Sequence, residues 1–209
     1  MNNLKPLLLF FAVVILSAHS IFAQDSTKTA PSTQVFAAIE QEPTFPGGVH
    51  AFSKFIGSNL KYPDVARVIG LTGKVFVTFV IERDGSVSNV TPIKCMGAGC
   101  ESEAVRVISM SPNWSPGFQK GKAVRVQYTI PISFDFTGDK SPTYIKNLKR
   151  SDYGFVFFIK GKTYTVDEAQ NILGKSFDPA IVETVENYDN PQYAMPDKKG
   201  VYLIVIKDS

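Results

Sequence analysis

Cysteine, histidine and tryptophan are nearly absent: the 209 residues hold two, two and one of them. A structural zinc takes four Cys or His ligands, and no second pair accompanies Cys95 and Cys100, so no metal is expected. A Ser/His hydrolase needs a positioned base. His50, the only histidine beyond the N-terminal apolar run, follows Gly47-Gly48 in a turn, and no Gly-x-Ser-x-Gly elbow occurs. No Gly-x-Gly-x-x-Gly or phosphate loop exists either, so the chain reads as a non-enzyme without a cofactor. Runs of one charge are missing too. The net charge is +3 and no basic run exceeds the Lys149-Arg150 pair, which argues against nucleic acid. A transmembrane barrel is excluded by length, since about 20 strands of about 10 residues would outrun the chain.

What is present begins with an address. Residues 1–23 carry Lys5, an apolar run over residues 7–16, and Ile21-Phe22-Ala23 ending in a small residue. This reads as a signal peptide cleaved after Ala23, which places the protein in the periplasm. An inner-membrane anchor is the alternative, because residues 6–23 approach the roughly 18 to 20 residues that a span needs. No cysteine follows the run, so lipid attachment there is not available. Residues 24–42 are polar and rich in Ser, Thr and Ala, and read as a flexible linker with a fully extended reach of about 65 Å.

The centre of the chain is a strand. Val75, Val77, Phe79 and Ile81 recur every second residue, and Asp84-Gly85 then predicts a tight hairpin returning through Val87 and Val90. Before it, Ala51, Phe52, Phe55 and Ile56 predict one helix, and Val65, Ala66, Val68 and Ile69 after Tyr62-Pro63 predict another. After it, residues 100–110 predict a third, with Ala104, Val105, Val107 and Ile108 inward, stopped by Pro112. Residues 124–136 alternate as a long third strand. Pro131 in its middle cannot donate to a ladder, so this strand is expected at a sheet edge. Together these give an α+β domain over residues 43–137: a small antiparallel three-stranded sheet packed by two to three helices.

A breaker cluster at residues 138–142 suggests a boundary, followed by a second small α+β module over residues 144–209. Its signals are a buried-type strand over 153–159 and a Thr165-x-x-Glu168 capping box opening a helix that Gly174 ends. Residues 181–188 follow, and residues 200–207 form a last strand. Cys95 and Cys100 could close a small loop as a disulfide or stand as two separate thiols.

Tyr62-Pro63, Gly70-x-x-Gly73-x-Val75-x-Val77-x-Phe79, Asp84-Gly85, Glu103-Ala104, Trp114-x-Pro116-Gly117 and the strand from Val126 to Phe134 resemble the C-terminal domain of TonB. Pro46-Gly47-Gly48 ahead of the first helix is similar to the Bacteroidetes form of that domain. Ile159-x-Gly161-Lys162, residues 182–186 and Gly200-Val201-x-Leu203-Ile204 are similar to part of the plug domain of TonB-dependent receptors. The usual Tyr-Gly before Gly200 is missing, as is the rest of a plug.

The TonB resemblance implies capture of an extended segment of an outer-membrane receptor, or another envelope partner, by strand addition. It also implies contacts from Asn59, Leu60 and Lys61, just ahead of the Tyr-Pro pair. The residues themselves point to the same edge, because unpaired peptide groups there accept an added strand. Arg125, Gln127, Thr129 and Ser133 alternate on its polar face and are candidates to read the peptide. A homodimer is also open. The alternative function is an anchored energy transducer. Against it stand the short linker and an apolar segment without Ser-x-x-x-His spacing, Ser17 and His19 being two apart.

Overall fold

The computed structural model describes residues 39–135 and 142–208. The expected signal peptide, most of the expected linker and most of the expected boundary cluster lie outside those residues. Helix α1 (Gly48–Asn59) and helix α2 (Asp64–Ile69) come first, then strands β1 (Gly73–Ile81) and β2 (Val87–Lys94) and helix α3 (Cys100–Ser109). A short hairpin, β3 (Gly117–Gln119) and β4 (Lys122–Val124), leads into β5 (Val126–Phe134). The sheet runs β2-β1-β5, antiparallel throughout. The expected α+β fold with a three-stranded sheet is what the chain forms.

β1 is central because both its neighbours cover it, and its alternate residues Val75, Val77, Phe79 and Ile81 are fully buried. The hairpin loop is longer than a two-residue turn. Gly85 N–H bonds the Glu82 carbonyl at 3.0 Å and Glu82 N–H bonds that of Ser86 at 2.8 Å. Only Gly85 takes a positive φ, 84°. This is a three-residue loop, a type I turn closed by a left-handed glycine. A side chain is impossible there, since a Cβ would stand 1.9 Å from the Trp114 carbonyl oxygen.

The third helix buries Cys100, Ala104, Val107 and Ile108, while Val105 is only partly covered. The cysteines remain separate thiols rather than a disulfide: Cys95 is exposed and Cys100 buried. Gly97, Ala98 and Gly99 between them all take positive φ, and Ala98 N–H is held by the Val185 carbonyl at 2.8 Å. The loop's path is set by that neighbouring strand and by the Glu101 carboxylate, which accepts from Met96 and Gly97 N–H. Gln41 bridges to Phe118 and Thr44 to Ser115, so pairing reaches into the expected linker.

The C-terminal part contains β6 (Thr143–Tyr144), α4 (Ile145–Arg150), β7 (Gly154–Ile159), β8 (Lys162–Thr165), α5 (Val166–Leu173), β9 (Ser176–Phe177), β10 (Val182–Asn187) and β11 (Val201–Ile206). Its main sheet has the order β10-β11-β7-β8, with β11 and β7 parallel and the other pairs antiparallel. The capping box forms as the sequence predicts: Thr165 accepts from Glu168 N–H, and the Glu168 carboxylate accepts from Thr165 N–H. One apolar cluster runs through both sheets, taking in Ile69, Phe79 and Phe134 on one side and Ile145, Phe157 and Ile204 on the other. The Thr143 hydroxyl, itself buried, donates to the Ile69 carbonyl across that seam.

Candidate functional site

The third strand is an edge: β5 pairs with β1 and, among the described residues, with no other strand. Its register is unbroken over nine positions, from Ile81 opposite Val126 to Gly73 opposite Phe134. In an antiparallel ladder a residue turns its N–H and C=O to the same side, and successive residues alternate. Pro131 sits opposite Phe76 without disturbing that register and has no N–H to give. A proline fits such a place only where its nitrogen faces away from the partner. By parity, Gln127, Thr129 and Ser133 also direct their peptide groups outward. The edge thus offers three N–H donors and four carbonyl acceptors, with one gap in the donor row.

Side chains alternate on the same period. Val126, Ile132 and Phe134 are buried, Tyr128 and Ile130 are half-buried, and Gln127, Thr129, Pro131 and Ser133 are exposed. Of these, Thr129 has a side-chain partner on the sheet, its hydroxyl lying 3.1 Å from that of Thr78 directly across the ladder. Gln127, Thr129 and Ser133 therefore stand together beside the free peptide groups.

Arg125 does something else. It lies just outside the strand, and its Nε and Nη2 reach the two oxygens of Glu82 at 2.7 Å each. A planar fork meeting a carboxylate fixes both groups. Arg125 closes the far end of the β1–β5 ladder, where its donors are taken up by Glu82. The same hydrogen bonds, from Arg125 and then from Ser88, hold the Glu82 carboxyl below its ordinary value of 4.5 against the opposing effect of burial.

Asn59 ends α1 and Leu60 and Lys61 follow it; Leu60 N–H donates back to the Ile56 carbonyl, while Asn59 and Lys61 are bonded from and to α3. Arg106 Nη2 donates to the Asn59 carbonyl at 2.6 Å, and Lys61 N–H donates to the Glu103 carboxylate at 2.5 Å. Glu103 and Arg106 are themselves paired at 2.6 Å. Lys61 lines a cleft of about 650 Å³ together with the charged side chains of Arg67, Glu103 and Arg106. The structure thus divides the candidate residues between two places, the β5 edge and the α1–α3 turn.

Neither thiol is suited to nucleophilic work. Burial pushes Cys100 up to about 12, helped by the charges of Glu101 and Glu103, and burial also raises Cys95. Among the described residues, no three His, Cys, Asp or Glu side chains gather where they could hold a metal ion. No helix among them is long and apolar enough to cross a membrane.

Residues 58–136 match the family model of the Gram-negative bacterial TonB protein C-terminal. No curated protein matches the chain. Two NMR solution structures of the Helicobacter pylori TonB C-terminal domain, of different lengths, are similar to it in sequence at 25% and 26% identity. They cover 43% and 45% of this chain and 95% and 89% of their own, each with a TM-score of 0.34. The family model spans the second helix, the three-stranded sheet, α3 and the free edge, so the part of this chain that is similar to a TonB C-terminal domain is residues 58–136.

Proposed function

We propose that the protein is a periplasmic, non-enzymatic binding protein that captures an extended segment of an outer-membrane TonB-dependent receptor by adding it as a strand to β5. The observation that carries this reading is the regular, unpaired edge of β5 within the domain that the family model matches. Each peptide hydrogen bond to the added strand contributes about 0.5 to 1.5 kcal/mol net, so the outward donors and acceptors suffice for a reversible grip. Residues 144–209 form the accompanying plug-like module, and Gln127, Thr129 and Ser133 flank the bound strand. Asn59, Leu60 and Lys61 act in this reading as a second contact, reached by the same partner at the α3 end of the domain.

The test is direct. Receptor-derived peptides titrated into the labelled protein should slow amide exchange at Gln127, Thr129 and Ser133. Protection confined to other strands would defeat the strand-addition mechanism. Mapping the mature N-terminus by mass spectrometry separates the exported form, starting after Ala23, from an anchored transducer that keeps residues 1–23.

A further inference from the structure

Beside the β5 edge lies a groove of about 350 Å³ whose walls are almost wholly apolar. Its floor is an aromatic cluster: the rings of Phe52 and Trp114 lie 5.2 and 5.4 Å from that of Phe45. One wall is β5 itself, through Tyr128 and Ile130, and the other is the start of α1, through Val49. Val49 is 80% exposed, the largest exposure among the bulky apolar residues of the described chain. A valine left in water at the first turn of a helix, next to two half-buried side chains, marks a surface that is incomplete as it stands.

Tyr128 and Ile130 belong to the ladder, so the groove is continuous with the edge. Cross-strand neighbours place their side chains on the same face of a sheet. A strand added beyond β5 therefore aims every second side chain to the face of Tyr128 and Ile130, where the groove opens. Glu42 is the single charged residue lining it, and its charge helps raise the Tyr128 hydroxyl, after burial, above the ordinary value.

We propose that this groove is the specificity pocket for the strand that β5 captures, and that it takes one bulky aliphatic or aromatic side chain flanked by a basic residue facing Glu42. The proposal rests on the strand-addition reading. The ladder binds any extended backbone with similar strength, whereas the groove distinguishes one sequence from another. Its volume lies at the small end of ligand-binding clefts, enough for one large side chain with part of its backbone.

The experiment uses the full chain and a series of synthetic peptides, Thr-Thr-Lys-Thr-X-Thr-Thr-Thr, with X as Ala, Leu, Phe or Glu, in which Lys is the same-face neighbour of X and no other bulky apolar side chain competes for the groove. Two readouts run together: amide exchange at Gln127, Thr129 and Ser133, and emission from Trp114, the sole tryptophan, which lines the groove. The Leu and Phe peptides should bind about tenfold tighter than the Ala peptide and shift Trp114 emission, with the Glu peptide weakest. Val49→Lys, at an exposed position that folding tolerates, should shrink the preference to about threefold or less. Ile93→Lys, on the opposite edge of the sheet, should leave it unchanged. Protected β5 amides with equal affinity for every X overturn the pocket while leaving strand addition standing. Failure of every peptide to protect those amides overturns both.

Discussion

Of the two outer strands of the three-stranded sheet, β5 pairs with β1 without a shift, whereas β2 shifts register twice along its eight residues. β2 also carries Pro92 within the strand, and Asn89 in the left-handed region at φ 51°. Its outer end exposes Ile93 and Lys94. Bulges, prolines and charge are the devices by which proteins blunt an edge against unwanted pairing. β5 has one proline, and that proline is placed where it leaves the register intact. The two edges of one small sheet thus differ in kind: one is irregular enough to refuse a partner strand, and the other keeps an even row of peptide groups.

The largest expected effect comes from turning the β5 proline argument against itself. Val126→Pro puts the missing donor on the side facing Ile81, deleting an inward ladder bond and leaving a carbonyl unsatisfied, at a cost of about 1 to 3 kcal/mol. Circular dichroism and thermal melting should show a clear loss of stability. Gln127→Pro, one residue on, removes an outward donor. It should melt close to the parent yet lose peptide affinity by about tenfold or more, read by titration. If the two variants behave alike, the assignment of inward and outward positions is wrong.

Acid provides the next test. Glu82 and Arg125 tie the end of the β1–β5 ladder, and the Glu82 carboxyl is held below its ordinary value of 4.5 chiefly by that hydrogen bond. The sign follows. The stability this pair contributes is full above the unfolded carboxylate value and disappears as pH falls through the lower folded value. Denaturant midpoints measured from pH 6 downward should fall less steeply for Glu82→Gln than for the parent. Equal slopes would show that the pair adds nothing to the ladder end.

The smallest effect belongs to the irregular edge. Asn89→Ala places a residue with a full Cβ and no local hydrogen-bonding group in the left-handed region, costing about 1 kcal/mol. Peptide titration should be unaffected. A change in affinity would mean that β2 takes part in binding after all.

The sequence made some of this legible and hid the rest for physical reasons. β1, α3 and the capping box of α5 announce themselves because their signals are local and periodic. The β3–β4 and β7–β8 hairpins do not. Their strands are three to six residues long, and their turns are Lys120-Gly121 and Lys160-Gly161, all four with positive φ. Lysine is an unusual first residue for such a turn, where asparagine or aspartate would have signalled it. The third strand starts later than alternation suggests, since Val124 pairs with Gly117 in the β3–β4 hairpin. The parallel pairing of β11 with β7 joins residues nearly fifty apart and leaves no short-range pattern. As for the site, Pro131 alone located the edge. The groove was invisible, being assembled from residues 42–52, Trp114, Tyr128 and Ile130, which meet only in the folded chain.

Pro131 has one more consequence. A bare sheet edge looks the same after every two residues, so an arriving strand could dock in several phases of nearly equal energy. The absent donor at Pro131 breaks that translational sameness and gives the row of hydrogen bonds an origin. A carbonyl on the incoming strand that arrives opposite the proline finds nothing to accept from. Phases differing by two residues place different carbonyls there, and only a strand carrying its own gap or bend at that point avoids the loss. In the strand-addition reading the proline acts as a phase mark, converting an edge that measures only length into one that also measures position.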